Sequence, residues 1–112
     1  MEVNLQTVKG VGVLELLGET LDMAEVDDLR QQLTSIAATN PKLVLDLNRI
    51  QFLDSSGCGA LVEGHNRFRA AGGALRLCSP TGEVKTALER ARLTRVRNIS
   101  DTREQALAAF GT

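Results

Sequence analysis

Val3, Leu5 and Thr7 alternate with Asn4 and Gln6, the period of a strand with one covered face. Gly10 or Gly12 supplies a turn, and Val11 to Leu17 reads as a second strand, so the chain opens with a hairpin. The spacing then becomes helical. Val26, Leu29, Leu33 and Ile36 recur at steps of three and four, Asp22 is the expected N-cap, and Glu25 stands where a capping-box partner would. Asn40-Pro41 ends that helix, because the residue before proline is pushed out of the α region. Leu43 to Leu47 is a nearly continuous apolar run, as in a strand covered on both faces.

A connection from Asn48 to Leu53 leads to Asp54-Ser55-Ser56-Gly57 and a second helix. Its core face is Ala60, Leu61, Gly64 and Phe68, and it stops at Gly72-Gly73. Ala74 to Cys78 is a further strand. Ser79-Pro80 opens a third helix with proline at its first position and a stripe of Val84, Ala87, Leu88 and Ala91. Val96 to Ile99 makes a last strand, and Asp101 with Glu104 caps a final helix carrying Ala106, Leu107 and Phe110. The order is ββαβαβαβα: an α/β fold with a mixed, mostly parallel sheet, an N-terminal β-hairpin and helices packed on the sheet. No linker or repeat interrupts it, so residues 1–112 are expected to form one domain.

Composition narrows the function. Hydrophobic residues make up 43% and the net charge is −1, so a core forms without disulfides or metals and no field draws the chain to nucleic acid or an anionic membrane. Arg90, Arg92, Arg95 and Arg97 are interleaved with Glu83, Glu89, Asp101 and Glu104, a mixed solvated surface. No stretch approaches the ~18 apolar residues of a membrane span, and the expected location is the cytoplasm. Cys58 and Cys78 lack metal-ligand spacing and are expected to be buried free thiols. No cofactor is implied.

The candidate chemistry lies in Asp54-Ser55-Ser56-Gly57-Cys58-Gly59, where a loop enters the second helix. A helix start offers unpaired backbone N–H groups and partial positive charge, so a phosphate on Ser55 would be accommodated there, with Gly57 and Gly59 leaving room. The same four residues are also an ordinary way to begin a helix, with a Ser or Asp as cap. Enzyme readings fail. His65, the sole histidine, lies ten residues along the same helix, about 15 Å from Ser55, and is expected to be a surface or half-buried side chain. No glycine stands two residues before the serine, no third glycine completes a dinucleotide fingerprint, and no Gly-Lys-Ser/Thr ending makes a P-loop.

Leu17-Gly18-Glu19 followed by Asp22, the run Phe52-Leu53-Asp54-Ser55-Ser56-Gly57-Cys58-Gly59-Ala60-Leu61, and Gly72-Gly73-Ala74-Leu75-Arg76-Leu77 resemble the STAS domain. More narrowly they resemble the stand-alone bacterial anti-sigma factor antagonists, from about Val3 to Phe110. That resemblance implies partner switching without enzymatic activity of the domain itself. The unphosphorylated domain binds an anti-sigma factor that is also a serine kinase and frees the sigma factor. The kinase phosphorylates Ser55 and lets go, and a serine phosphatase resets the protein. Asp54, Ser56 and Gly57 would belong to the docking surface and Asp22 to the neighbouring loop. The family usually runs Gly-Glu-Leu-Asp, whereas Thr20 is inserted here, which displaces Asp22 from the family pattern. The free protein is expected to be a monomer or weak dimer. Two alternatives stand beside this reading: a scaffold or accessory subunit in a stress-signalling or lipid-transport complex, docking without phosphorylation, and a small-anion or nucleotide-binding module. Against the last, no Lys, Arg or aromatic residue stands directly beside Ser55.

Overall fold

The computed structural model describes residues 1–91 and 99–111. Arg92, Arg95, Arg97 and the first part of the expected last strand, 96–98, lie outside the described residues. The elements are β1 (Val3–Val8), β2 (Val11–Leu16), β3 (Thr20–Leu21), α1 (Val26–Thr39), β4 (Lys42–Asp46), β5 (Phe52–Leu53), α2 (Ser55–Ala70), β6 (Ala74–Cys78), α3 (Gly82–Arg90), β7 (Ile99–Ser100) and α4 (Arg103–Ala108). The expected order is present, with two short strands, β3 and β5, added to it.

A five-stranded sheet runs β1-β2-β4-β6-β7, with β1 antiparallel to β2 and the remaining pairs parallel. The hairpin turns at Lys9-Gly10, where both residues have positive φ (51° and 83°), the backbone of a two-residue turn that suits strand twist. Gly10 therefore makes the turn, and Gly12 lies within β2.

Alternation along the strands sorts the core into two layers. Leu14, Leu16, Leu43, Leu45, Leu75 and Leu77 face one way and pack against α1, α2 and α3 through Leu29, Leu33, Leu61, Phe68, Val84 and Leu88. Val11, Val13, Val44 and Cys78 face the other way and meet Ala106, Leu107 and Phe110 of α4 and its end. Larger leucines fill the side that carries three helices, and valines suffice under the single short one. Cys78 is buried and Cys58 half-buried, and both are free. Burial, with Asp46 nearby, pushes the Cys78 thiol up to about 12.

Three helix starts differ from expectation. Glu25, not Asp22, occupies the N-cap of α1, and its side chain makes no capping bond. Asp22 instead closes a tight turn ahead of the helix, its carboxylate accepting from the Ala24 N–H at 3.0 Å and its carbonyl from Glu25 and Val26. Pairing of Thr20–Leu21 into β3 pulls the chain away from the helix axis until that turn is made. For α3, Ser79 takes a left-handed φ of 57°, so the helix begins after Pro80 and Thr81 caps it. The Thr81 hydroxyl also donates to the Ile50 carbonyl at 3.1 Å, a tertiary partner that favours this cap. In α4 the cap is Thr102, accepting from Gln105 N–H at 3.1 Å, while the Gln105 side chain accepts from Asp101 N–H. Ala91 ends exposed because α3 closes at Arg90.

A carboxylate enters the interior. Asp46, 2% exposed at the end of β4, accepts from Arg103 Nη2 at 2.7 Å and Nε at 3.1 Å and fixes α4 across the sheet. Its other oxygen accepts from Asn48 N–H. Removing the guanidinium leaves a buried carboxylate unpaired. Arg103→Ala is expected to lower stability by about 2 kcal/mol in urea unfolding, below the range for fully buried pairs because Arg103 is a third exposed. In an Asp46→Asn background the same change is expected to cost less.

Candidate functional site

The site forms at the carboxyl ends of the parallel strands, where β3 and β5 pair as a separate two-stranded sheet: Thr20 opposite Phe52 and Leu21 opposite Leu53. The Glu19 carbonyl accepts from Gln51 and Phe52 N–H, and the Leu21 carbonyl accepts from Asp54 N–H at 3.4 Å. Leu21, Ile50 and Leu53 are buried beneath this pairing. It brings together the two loops that the sequence separates by some thirty residues, so Asp22 and Asp54-Ser55-Ser56-Gly57 stand at one end of the molecule. The inserted Thr20 is accommodated as a paired strand residue.

Asp54 is the N-cap of α2, with an extended backbone (φ −92°, ψ −177°). Its Oδ1 accepts from Gly57 N–H at 2.8 Å and from the Ser56 hydroxyl at 2.6 Å. These bonds, the Ser56 hydroxyl first, hold the Asp54 carboxyl below the usual carboxylate range; the Met23 and Ser56 backbone amides add to the effect. Gly57 is buried, and a Cβ there would collide with the Leu21 carbonyl and the Leu53 side chain. Only glycine lets the first turn of α2 sit against β3.

Ser55 is the residue this arrangement leaves over. Asp54 does the capping, Ser56 orients the cap, and Ser55, at the first helical position, is exposed with no hydroxyl partner among the described residues. The choice between cap and modifiable hydroxyl therefore divides among three residues. Two apolar side chains are exposed on the paired loops: Met23 (76% exposed), whose backbone amide reaches Asp54, and Phe52 (52%), which lines a groove against Gly82, Glu83 and Thr86 of α3. His65 is half-buried further along α2, its pKa lowered by burial and then by Arg69. No cluster of metal-binding side chains occurs among the described residues, and no helix among them is long and apolar enough to cross a membrane.

The family model for the STAS domain matches residues 2–106. A curated relative, the anti-sigma F factor antagonist of Paenibacillus polymyxa, is 28% identical over 109 residues, covering 96% of this chain and 92% of the relative. Among solved structures, a putative anti-sigma factor antagonist from Thermotoga maritima superposes with a TM-score of 0.87 at 22% identity, covering 96% and 92% of the two chains. SpoIIAA, an anti-sigma factor antagonist, superposes in its unphosphorylated form with a TM-score of 0.80 at 23% identity, covering 99% and 98%. The phosphorylated form of SpoIIAA, described as a Bacillus cell fate determinant, gives 0.73 at 20% identity, covering 97% and 99%.

Two outcomes are expected from this geometry. Gly57→Ala should destabilise the protein by about 1–3 kcal/mol in urea unfolding, since the backbone it meets cannot yield as a side chain would. Asp54→Ala should lower the urea midpoint at neutral pH. Because the folded carboxyl titrates below the unfolded one, its contribution is complete above about pH 4 and is lost as pH falls through the lower folded value. The gap between wild type and Asp54→Ala should accordingly close on acidification, read from urea midpoints across pH.

Proposed function

The chain belongs to the STAS domain family, and on that premise we propose that it is an anti-sigma factor antagonist acting by partner switching. In its unmodified form it binds an anti-sigma factor that is also a serine kinase, and so releases a sigma factor. Transfer of a phosphoryl group from the kinase's ATP to Ser55 ends the complex, and a separate serine phosphatase restores the starting state. The domain contributes a surface and an acceptor hydroxyl and carries out no catalysis of its own. This cycle belongs to the cytoplasm.

The observation that carries the reading is the exposed Ser55 hydroxyl at the first turn of α2, beside a carboxylate already committed to capping. A phosphate adds roughly −1.5 to −2 charges at pH 7. The helix start favours that charge and Asp54 opposes it, so the two effects offset and the backbone has little reason to move. The change falls on the exterior, where Asp22, Met23 and Phe52 share the same end. A docking partner meeting the apolar side chains there would have to accept a doubly charged, strongly hydrated group among them. The similarity to relatives named as anti-sigma factor antagonists supports the same reading.

Incubation with ATP and a co-encoded serine kinase of the anti-sigma type, followed by peptide mass spectrometry, tests it. One phosphate is expected on Ser55, absent from Ser55→Ala, with the phosphorylated form losing kinase affinity by about tenfold or more. Kinase binding with no phosphate, or with a phosphate elsewhere, would sink the switch and leave a domain that docks constitutively.

A further inference from the structure

We propose that β1 is a self-association edge, pairing antiparallel with β1 of a second copy about a two-fold axis through Leu5. This rests on the sheet edge alone and is independent of any role for Ser55.

β1 is the outer strand of the five-stranded sheet, and four of its six residues are exposed. Soluble proteins usually blunt such an edge with charge, proline, a bulge or brevity. Val3-Asn4-Leu5-Gln6-Thr7-Val8 has no charged residue and no proline, and its register with β2 runs unbroken from Val3↔Leu16 to Val8↔Val11. The Leu17 N–H donates to the Glu2 carbonyl at 3.0 Å, which marks Glu2 as bonded inward to the hairpin partner. Bonded and non-bonded pairs alternate in an antiparallel ladder, so Asn4, Gln6 and Val8 also point inward. The backbone groups of Val3, Leu5 and Thr7 are then directed outward, free to pair.

Those three residues are self-complementary. With Leu5 opposite Leu5 of the second copy, Val3 faces Thr7, Asn4 faces Gln6, and no like charges meet. At each end Glu2 of one copy falls opposite Val8 of the other, beside Lys9, and the neighbouring Met1 ammonium is already neutralised by Asp28 and Glu25 of its own copy. Leu5 is 52% exposed on the rim of a groove of about 370 Å³ between β1 and α1, lined by Val3, Leu14, Gln31 and Ile36 among others. The second Leu5 would cover its counterpart along that rim. A two-fold axis perpendicular to the sheet reverses strand direction, so the dimer would carry its Ser55 loops at opposite ends, both accessible.

Sedimentation equilibrium and residue-resolved hydrogen exchange on the whole chain, at concentrations up to about 1 mM, test the pairing. A monomer–dimer equilibrium is expected, with exchange at Val3, Leu5 and Thr7 slowing about tenfold or more as dimer accumulates, while Asn4, Gln6 and Val8 are protected throughout. Leu5→Lys and, separately, Thr7→Pro should remain monomeric with core protection at Leu45 and Phe68 intact; the proline removes an outward N–H without disturbing the groove. A monomer throughout the range would overturn the proposal. So would a dimer lacking the alternating protection, or one that survives both substitutions.

Discussion

The pairing of Thr20–Leu21 with Phe52–Leu53 is the constraint on which the candidate site of this molecule depends. These two strands are only two residues each, too short to be stable alone. They persist because Leu21, Ile50 and Leu53 are buried beneath them and Glu19 bonds across to Gln51 and Phe52. Through them the start of α2 is held against the Leu21 backbone at Gly57, and the loop carrying Asp22 and Met23 is brought beside Asp54. Without that clasp, Asp22 and Ser55 would be features of two unrelated loops.

Rigidity of the cap then defines what Ser55 can be. Asp54 satisfies Gly57 N–H and is itself braced by Ser56, so the helix start needs nothing from Ser55. A hydroxyl exempt from structural duty can change its chemistry without unfolding the helix that presents it. Within four consecutive residues, Asp54, Ser56 and Gly57 are thus tied into the helix start while the Ser55 hydroxyl stays exposed.

Elsewhere the two faces of the sheet are secured by different means. Leucine packing against α1, α2 and α3 is extensive. The α4 face is thinner, built on Val11, Val13, Val44 and Cys78, and there the Asp46–Arg103 pair adds a directional bond where apolar area is scarce. Arg76 leans over the Phe110 ring at 5.4 Å on that same face, a further polar contribution to a small core. The outer strand β1 touches these clusters only through Val3 and Val8 at its ends and is uncharged and exposed between them.

Much of this was legible in the residues themselves. The apolar run Leu43 to Leu47 is buried throughout, the stripe Ala60, Leu61, Gly64, Phe68 faces the core, and α1 closes at Asn40-Pro41. Each follows from local stereochemistry or a period set by one element, which a sequence records directly. The resemblance carried by Asp54 to Gly59 pointed to the candidate site at the head of α2. The helix starts were less legible: Asp22 precedes an adequate capping pattern, yet its chain is committed to β3, and Thr81 prevails over Ser79-Pro80 because Ile50 accepts its hydroxyl. Nor could a pattern reveal that Asp46 and Arg103, 57 residues apart, neutralise one another, or that the loop of Met23 comes to lie beside Asp54. The sequence alone determined the order of elements, their buried faces and the serine at the head of α2, because these are encoded by near neighbours. Only the tertiary structure decided which of Asp54, Ser55 and Ser56 caps, which is free, and what surrounds them, because those outcomes rest on contacts made by residues far apart in the chain.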